Sequence, residues 1–230
     1  MKLTPEFISI LKNFASINSN IVFKVDEPIK TISEAKNILA IGPNPDFKYT
    51  QDFGIYDLPE FLGAVSIFDE PSLVLAEDYK SVSIKEGSKS IRYFFSSPEF
   101  LTHPTKDIQM PTPEVAFTIT NDDVSFLRRA ASTLGLTDIV VEGTGGADTV
   151  SVNVTNSKDP TSNSFQLQIN DVETTGDVRF KFVASIADLK MIADDYRVEF
   201  SSRFISRFIG QQTQIQYFVG LDNKASTYGA

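Results

Sequence analysis

The sequence predicts an α+β protein of two similar halves, each an antiparallel sheet with two helices on one face. Three observations predict it. A helix-then-strand stretch at 3–24, LTPEFISILKNFASINSNIVFK, returns at 119–142 as ITNDDVSFLRRAASTLGLTDIVVE. Without gaps, Leu3 falls on Ile119, Thr4 on Thr120, Ser9 on Ser125, Leu11 on Leu127, Lys12 on Arg128, Ala15 on Ala131 and Ser16 on Ser132. Recurrence of this kind fixes organisation before any local reading. Helical periodicity is confined to a few short segments, and short alternating runs fill the rest. A stretch carrying Pro98, Pro104, Pro111 and Pro113 separates the halves, giving an N-terminal domain over 1–96, a connector over 97–113 and a C-terminal domain over 114–230.

Taken in order, Thr4 is a helix cap, Pro5 stands at the first helical position, and Phe7, Ile10, Leu11 and Phe14 form one buried stripe. Lys12 falls on the opposite, polar face with Ser9 and Ser16. IVFKV, IKTIS, NILAI and FGIY read as strands, with turns at DEP and GPNPD. Asp57 caps a second helix over DLPEFLG, with Leu58, Phe61, Leu62 and Val65 inward. SLVLA, SVSIK and SIRYFF are three further strands. In the connector, Phe100, Leu101, Ile108 and Met110 are too apolar for a free linker and are expected to pack. VAFTI opens the second half. A helix capped by Thr120 or Asn121 follows, with Val124, Leu127, Ala131 and Leu134 inward, Arg128 and Arg129 outward, and Gly135 ending it. DIVVE, DTVSVNV, SFQLQIN and VRFKFVA read as strands. SIADLKMIADDY reads as a fourth helix capped by Ser185, with Ile186, Leu189 and Ile192 or Ala193 inward. RVEFSSRF and TQIQYFVGL close the sheet, and DNKASTYGA reads as a frayed tail.

The chain has 230 residues and a formal net charge of -9. Lys plus Arg number 10 against 13 Asp plus Glu in residues 1–95, and 10 against 15 in residues 114–230. Neither half has the basic balance of a protein that grips nucleic acid by affinity. With 0 Cys, disulfides and thiolate metal sites are excluded and a reducing compartment is expected. MKLTPEF starts an amphipathic helix at once, so neither a signal peptide nor a membrane span is expected, and the protein is expected to be soluble and intracellular.

Catalytic chemistry lacks its parts. GTGGA at 143–147 precedes a strand and has no Gly-Lys-Ser/Thr, so it reads as a hairpin turn and not a phosphate loop. His103 is the only histidine, which leaves zinc sites and His-based triads without ligands or a base. Asp122–Asp123 answers a helix dipole, and Asp194–Asp195 sits at a helix end or turn. Asn153-Val-Thr is a glycosylation triplet without a secretory route. No catalytic, cofactor or metal site is expected.

ILKNFASINS at 10–19 and IYDLPEFLG at 55–63, with the MKL start and the duplicated unit, resemble the DNA polymerase sliding clamps of T-even-type bacteriophages. Close wording lies in the first 65 residues or so, and element order matches over the whole length. The resemblance implies a clamp-type fold whose two domains per subunit assemble into a head-to-tail homotrimeric ring, with helices lining the hole. It implies encircled duplex DNA, the replicative DNA polymerase, a clamp-loader ATPase and late-transcription proteins as partners, in the cytoplasm of an infected bacterial host. DNA-facing positions would be Lys2, Lys12, Arg128, Arg129 and Lys190. Subunit contacts would run along Ile91, Tyr93 and Phe95 in one copy and Phe165, Leu167 and Ile169 in the next. A partner-peptide pocket would be lined by Ile108, Met110, Phe218 and Leu221. The alternative from another class is a non-catalytic, β-rich structural phage protein with duplicated domains.

Overall fold

The computed structural model describes residues 1–45 and 47–229 and separates into two compact units, Met1–Asp107 and Ile108–Ala230. In the first, Thr4 adopts extended backbone and its hydroxyl accepts the Phe7 N–H at 3.1 Å, which starts α1 (Pro5–Ile17). Four short antiparallel strands follow: β1 (Ile21–Phe23), β2 (Lys30–Ile32), β3 (Ile38–Ile41) and β4 (Phe53–Ile55), side by side as β3–β2–β1–β4. Asp57 Oδ1 accepts the Glu60 N–H at 2.8 Å and caps α2 (Leu58–Val65). β5 (Ser72–Leu75), β6 (Ser81–Glu86) and β7 (Lys89–Phe94) form a meander. The expected stripe of Phe7, Ile10, Leu11 and Phe14 is buried. Beneath it Phe53 stacks between Phe23 at 4.8 Å and Phe95 at 4.5 Å, so aromatic area dominates this core.

The early part of the connector is held onto this unit. Leu101 is buried so close to β4 that a Cβ on Gly54 would meet its Cδ1 at 2.3 Å; only glycine allows that approach. The Asn18 amide donates to the Thr102 carbonyl at 3.2 Å, and Lys30 Nζ lies 2.9 Å from the Asp107 carboxylate. Phe100 corrects the expectation of packing: it is 81% exposed on a 3₁₀ turn over Pro98–Phe100, which points it away from the surface that Leu101 seals.

The second unit opens with β8 (Val115–Ile119) and α3 (Asn121–Leu134), whose Thr120 hydroxyl accepts the Asp123 N–H at 3.1 Å, the same bond as in the first copy of the repeat. β9 (Asp138–Thr144), β10 (Thr149–Thr155), β11 (Ser164–Asn170), β12 (Glu173–Thr174), β13 (Arg179–Ser185), β14 (Tyr196–Ser201), β15 (Ile205–Gly210), β16 (Gln216–Gly220) and β17 (Thr227–Tyr228) complete it. They lie in two antiparallel runs, β11–β10–β9–β13–β17 and β12–β8–β14–β15–β16. The core lies where these runs meet, with Phe182 of β13 stacked on Phe200 of β14 at 5.1 Å. GTGGA forms the β9–β10 turn, and Gly146 takes a φ of 79°, a conformation side chains resist.

Several expectations are corrected. No helix spans 185–196: a 3₁₀ turn over Ile186–Asp188 gives way to irregular backbone. Burial there alternates, with Leu189 and Met191 inside and Lys190 outside, which is the signature of extended chain. The backbone groups find partners outside a helix. The Arg128 guanidinium donates to the Leu189 and Met191 carbonyls, Tyr196 Oη donates to Ile192 O, and Tyr217 Oη accepts the Ile192 N–H at 3.2 Å. A short amphipathic segment has too little intrinsic helicity to resist such tertiary bonds. RVEFSSRF is a strand ending followed by a turn, because Phe204 takes a φ of 57° and its N–H bonds Ser201 O at 2.9 Å. Leu134 is 42% exposed, and Leu136, past the left-handed Gly135, fills the buried place instead. The tail is not frayed: β17 pairs with β13, and Ser226 is buried with its Oγ accepting the Val183 N–H at 2.9 Å. Asp46, at the end of the expected turn, and Ala230 lie outside the described residues.

Asp194, also in the irregular segment, is buried, which pushes its carboxyl pKa up. The Thr213 N–H and hydroxyl, both at 2.8 Å, and the Gln212 N–H outweigh that and hold it below the usual carboxylate range. A depressed carboxyl contributes stability that is present above its unfolded value, near about 3.9, and lost as pH falls through the folded value. Asp194→Asn is therefore expected to lower the urea midpoint at neutral pH, with the gap to wild type closing below about pH 4. A gap independent of pH would mean the carboxylate charge plays no part.

Candidate nucleic-acid and subunit-contact surfaces

Helix amphipathicity decides which cations are presented. On α1 the buried stripe leaves Lys12 exposed on the far face, and it makes no ion pair among the described residues. It stands beside a cleft between α1 and α2 lined by Ile8, Leu62 and Phe68. Lys2 borders the same cleft, exposed and paired with Glu70 at 3.2 Å. An exposed pair of this kind contributes little to stability, so Lys2 can exchange partners at low cost. α2 carries carboxylates only, at Asp57 and Glu60.

On α3 the repeat diverges. Arg128 occupies the position of Lys12, yet it is half-buried and its guanidinium is spent on the Leu189 and Met191 carbonyls. Burial lowers its pKa from the ordinary arginine value, although so strong a base remains charged. Arg129 is exposed, with its guanidinium carbon 5.3 Å from the centre of the Phe126 ring. Lys190 is exposed on the irregular segment that Arg128 holds. Sequence periodicity placed Arg128 on the polar face; it could not show that a neighbouring loop would come within reach of a long side chain.

The subunit-contact candidates fall on two sheet borders. In the first unit β7 ends the meander β5–β6–β7, whereas the opposite border, β5, already exchanges backbone bonds with Met1 at Leu73, at 2.6 and 2.8 Å. Ile91 and Tyr93 point inward and are half-buried. Tyr93 Oη donates to Asp57 O at 3.0 Å and its ring meets Phe61 edge-on at 5.3 Å. Burial raises the Tyr93 pKa, and the nearby Glu60 and Asp57 carboxylates add to the shift. Phe95, just past β7, packs on Phe53. In the second unit β11 is the border of its run. Its Phe165, Leu167 and Ile169 share one face, and Phe165 meets Phe126 of α3 at 5.0 Å. Each border therefore carries an apolar inner face under a helix.

The four expected pocket residues are less united. Phe218 is 4% exposed and lies under Arg207, whose guanidinium is 6.0 Å from the ring centre. Leu221 lines a core cavity with Phe117, Phe200 and Phe208, a lining that includes neither Ile108 nor Met110. Ile108 is 38% exposed and Met110 half-buried. Sequence reasoning missed a charged ladder on β12, β14 and β15: Glu173 to Arg197 at 2.8 Å, Arg197 to Glu199 at 3.4 Å and Glu199 to Arg207 at 2.6 Å. Alternation of Arg197 and Glu199 with buried Val198 was its sequence signal. Among the described residues no group of His, Asp or Glu is placed to hold a metal, and no helix is long and apolar enough to cross a membrane.

Residues 116–223 match the family described as gp45 sliding clamp, C terminal. The chain is 28% identical over 225 residues to the sliding clamp of Vibrio phage KVP40, covering 96% of this chain and 99% of that protein. It is 25% identical over 229 residues to the sliding clamp of Escherichia phage RB69, covering 96% and 97%. In fold it is similar to A. fulgidus PCNA bound to the C-terminal region of FEN-1, with a TM-score of 0.68 at 12% identity over 96% of both chains.

The different settings of the two arginines on α3 give a stability test. Arg128→Ala strands two carbonyls and is expected to cost about 2 kcal/mol, whereas Arg129→Ala is expected to stay within about 0.5 kcal/mol of wild type. Urea unfolding of the two variants checks this, and equal losses would remove the structural role given to Arg128.

Proposed function

We propose that this homologue of the phage sliding clamps closes head to tail into a three-membered ring that encircles duplex DNA and tethers the replicative polymerase, with no catalysis of its own. The observation that carries the proposal is the pair of open sheet borders, β7 in one unit and β11 in the other, each with apolar residues turned under a helix. Open borders invite strand addition from another chain. Two different borders on one chain make a heterologous contact, which closes into a ring when the rotation permits. Ile91, Tyr93 and Phe95 would meet Phe165, Leu167 and Ile169 of the next copy.

Three copies would carry three times a charge of -9, so the assembly repels a duplex in bulk. Encirclement makes that tolerable, since topology and not affinity prevents escape. Lys12 and Lys190, exposed in their respective units, are the proposed phosphate contacts, and Lys2 joins them when it leaves Glu70. Arg128 serves the path indirectly by holding the segment that presents Lys190. Ile108 and Met110 are the accessible part of the proposed partner-peptide surface, and the FEN-1 segment seen on PCNA supports docking of partner tails on this fold. A loader ATPase to open the ring and late-transcription proteins complete the proposed partners, in the host cytoplasm.

Light scattering is expected to give a native mass near three times 25.5 kDa, falling on dilution; a monomer persisting at high concentration would sink the ring. Reversing Lys12 and Lys190 together to Glu is expected to leave that mass unchanged and to reduce polymerase processivity about tenfold at moderate salt, with a smaller effect at high salt, where phosphate contacts are screened. Unaltered processivity on primed circular DNA would exclude these two as contacts.

A further inference from the structure

We infer that the outer sheet face of the first unit carries a second docking site, where Tyr56, Phe94 and Phe100, with Arg92 and Lys85, receive an acidic partner-protein segment bearing apolar anchors. The site is separate from the partner-peptide surface proposed at Ile108 and Met110 and does not depend on ring closure. Gly54 of β4 and Ser96, just past β7, exchange backbone bonds at 3.1 and 2.8 Å as an antiparallel pair. Counted on by two residues, that register sets Tyr56 against Phe94. The Tyr93 Oη bond to Asp57 O keeps the two chain segments together there. Residues two apart share a face, and on this face Leu101 fills the space over Gly54 while Phe100, its neighbour, is left outside. Tyr56 and Phe94 are each 68% exposed, and Phe100 more so. Three exposed rings around one strand pair form the kind of apolar patch that marks an interaction site.

The rest of the face indicates what covers it. Across the meander, Val74, Ser83 and Arg92 form one outward row and Ser72, Lys85 and Ser90 the next. Arg92 and Lys85 are exposed and make no ion pair among the described residues. The outward positions of β5, β6 and β7 hold no carboxylate, in a chain where acids outnumber bases 30 to 21. Glu99 stands at the other end of the patch, on the turn that carries Phe100, and accepts the Ser97 hydroxyl at 3.1 Å. Alternate residues of a strand are about 7 Å apart, so a side chain seated on Phe94 brings an adjoining carboxylate within reach of Arg92.

Aromatic rings beside an arginine are the composition on which protein-binding energy concentrates, and the two cations select a segment with acidic residues at that end. A second copy of this chain does not supply such chemistry along the border. The outward positions of its β11 are Ser164, Gln166, Gln168 and Asn170, which are neither apolar nor charged. A single-stranded nucleic acid could stack on the rings, but it needs a longer track of cations than Arg92 and Lys85 provide.

To test this, a library of random displayed peptides is panned on the full chain, and the selected sequences are synthesised, labelled and titrated by fluorescence anisotropy. Peptides with an apolar residue close to Asp or Glu are expected. Phe94→Ser and Phe100→Ser are each expected to weaken their binding about tenfold or more, while Ile108→Ser combined with Met110→Ser leaves it unchanged. Arg92→Glu is expected to weaken binding similarly and to bind better a peptide whose acids are changed to Lys. This variant removes no packed ring, so it keeps the test intact should a Phe variant fail to fold. Failure to select such peptides, or binding that depends on Ile108 and Met110 and ignores Phe94 and Phe100, would overturn the site. Labelled oligo(dT) that binds and is released by the same variants would assign the face to nucleic acid instead. A native mass lowered by Phe94→Ser would assign it to contact between copies. Either result overturns the peptide site, and neither bears on whether the wild-type ring forms.

Discussion

A sheet border must find a partner, a cover or water for its row of backbone groups, and two borders here, β7 and β11, have no further strand beside them among the described residues of their own unit. Elsewhere the borders are treated differently. β5 exchanges bonds with Met1, and β13 is extended by the two residues of β17. β7 and β11 are left six and seven residues long, with inward-facing apolar side chains and a helix above. Lysine, proline or a bulge would ordinarily blunt such strands. β7 has Lys89 at its start, but its middle, Ile91 to Phe94, carries one charge. Borders this permissive suit a chain that meets copies of itself.

The electrostatics follow from the same arrangement. Cations on the helices are few and treated individually. Lys12 makes no ion pair among the described residues, Lys2 is lightly held by Glu70, Arg129 lies on an aromatic ring and Arg128 is committed to backbone carbonyls. Meanwhile Arg197 and Arg207 are neutralised on a sheet by Glu173 and Glu199. A protein relying on affinity for a polyanion would not bind up its arginines in this way. The proposed closed path would need only a few mobile charges near the phosphates, and an acidic remainder would keep such a chain from adhering to nucleic acid at random.

Local rules made the first unit and the start of the second legible. Capping threonines, the apolar stripe on α1 and the proline at its first position each act within a few residues, so their consequences can be read from order alone. Legibility failed where distant groups satisfied the backbone. SIADLKMIADDY has a helical pattern, but Arg128, Tyr196 and Tyr217 supply its hydrogen bonds from outside, and Asp194 is committed to the 211–213 turn. The tail looked polar enough to fray, and Ser226 gave it a buried anchor. Of the candidate site, the identity of the exposed cations on α1 and α3 could be read. The turning inward of Arg128 and the seating of Phe218 in the core could not, because both depend on what packs opposite.

Positions 12 and 128 show how two copies of one unit diverge under a single constraint. Both follow a capping threonine by eight residues and both carry a cation. In the first unit α1 lies beside another helix, α2, across a cleft that Lys12 borders, and Lys12 remains exposed. In the second unit the corresponding neighbour is irregular chain with unsatisfied carbonyls, and an arginine, with several donors on one planar group, can bridge two of them. A lysine there would offer a single ammonium to carbonyls two residues apart. The loss of a helix and the choice of arginine over lysine are therefore one structural event. Lys190 stands exposed on the very segment that Arg128 secures.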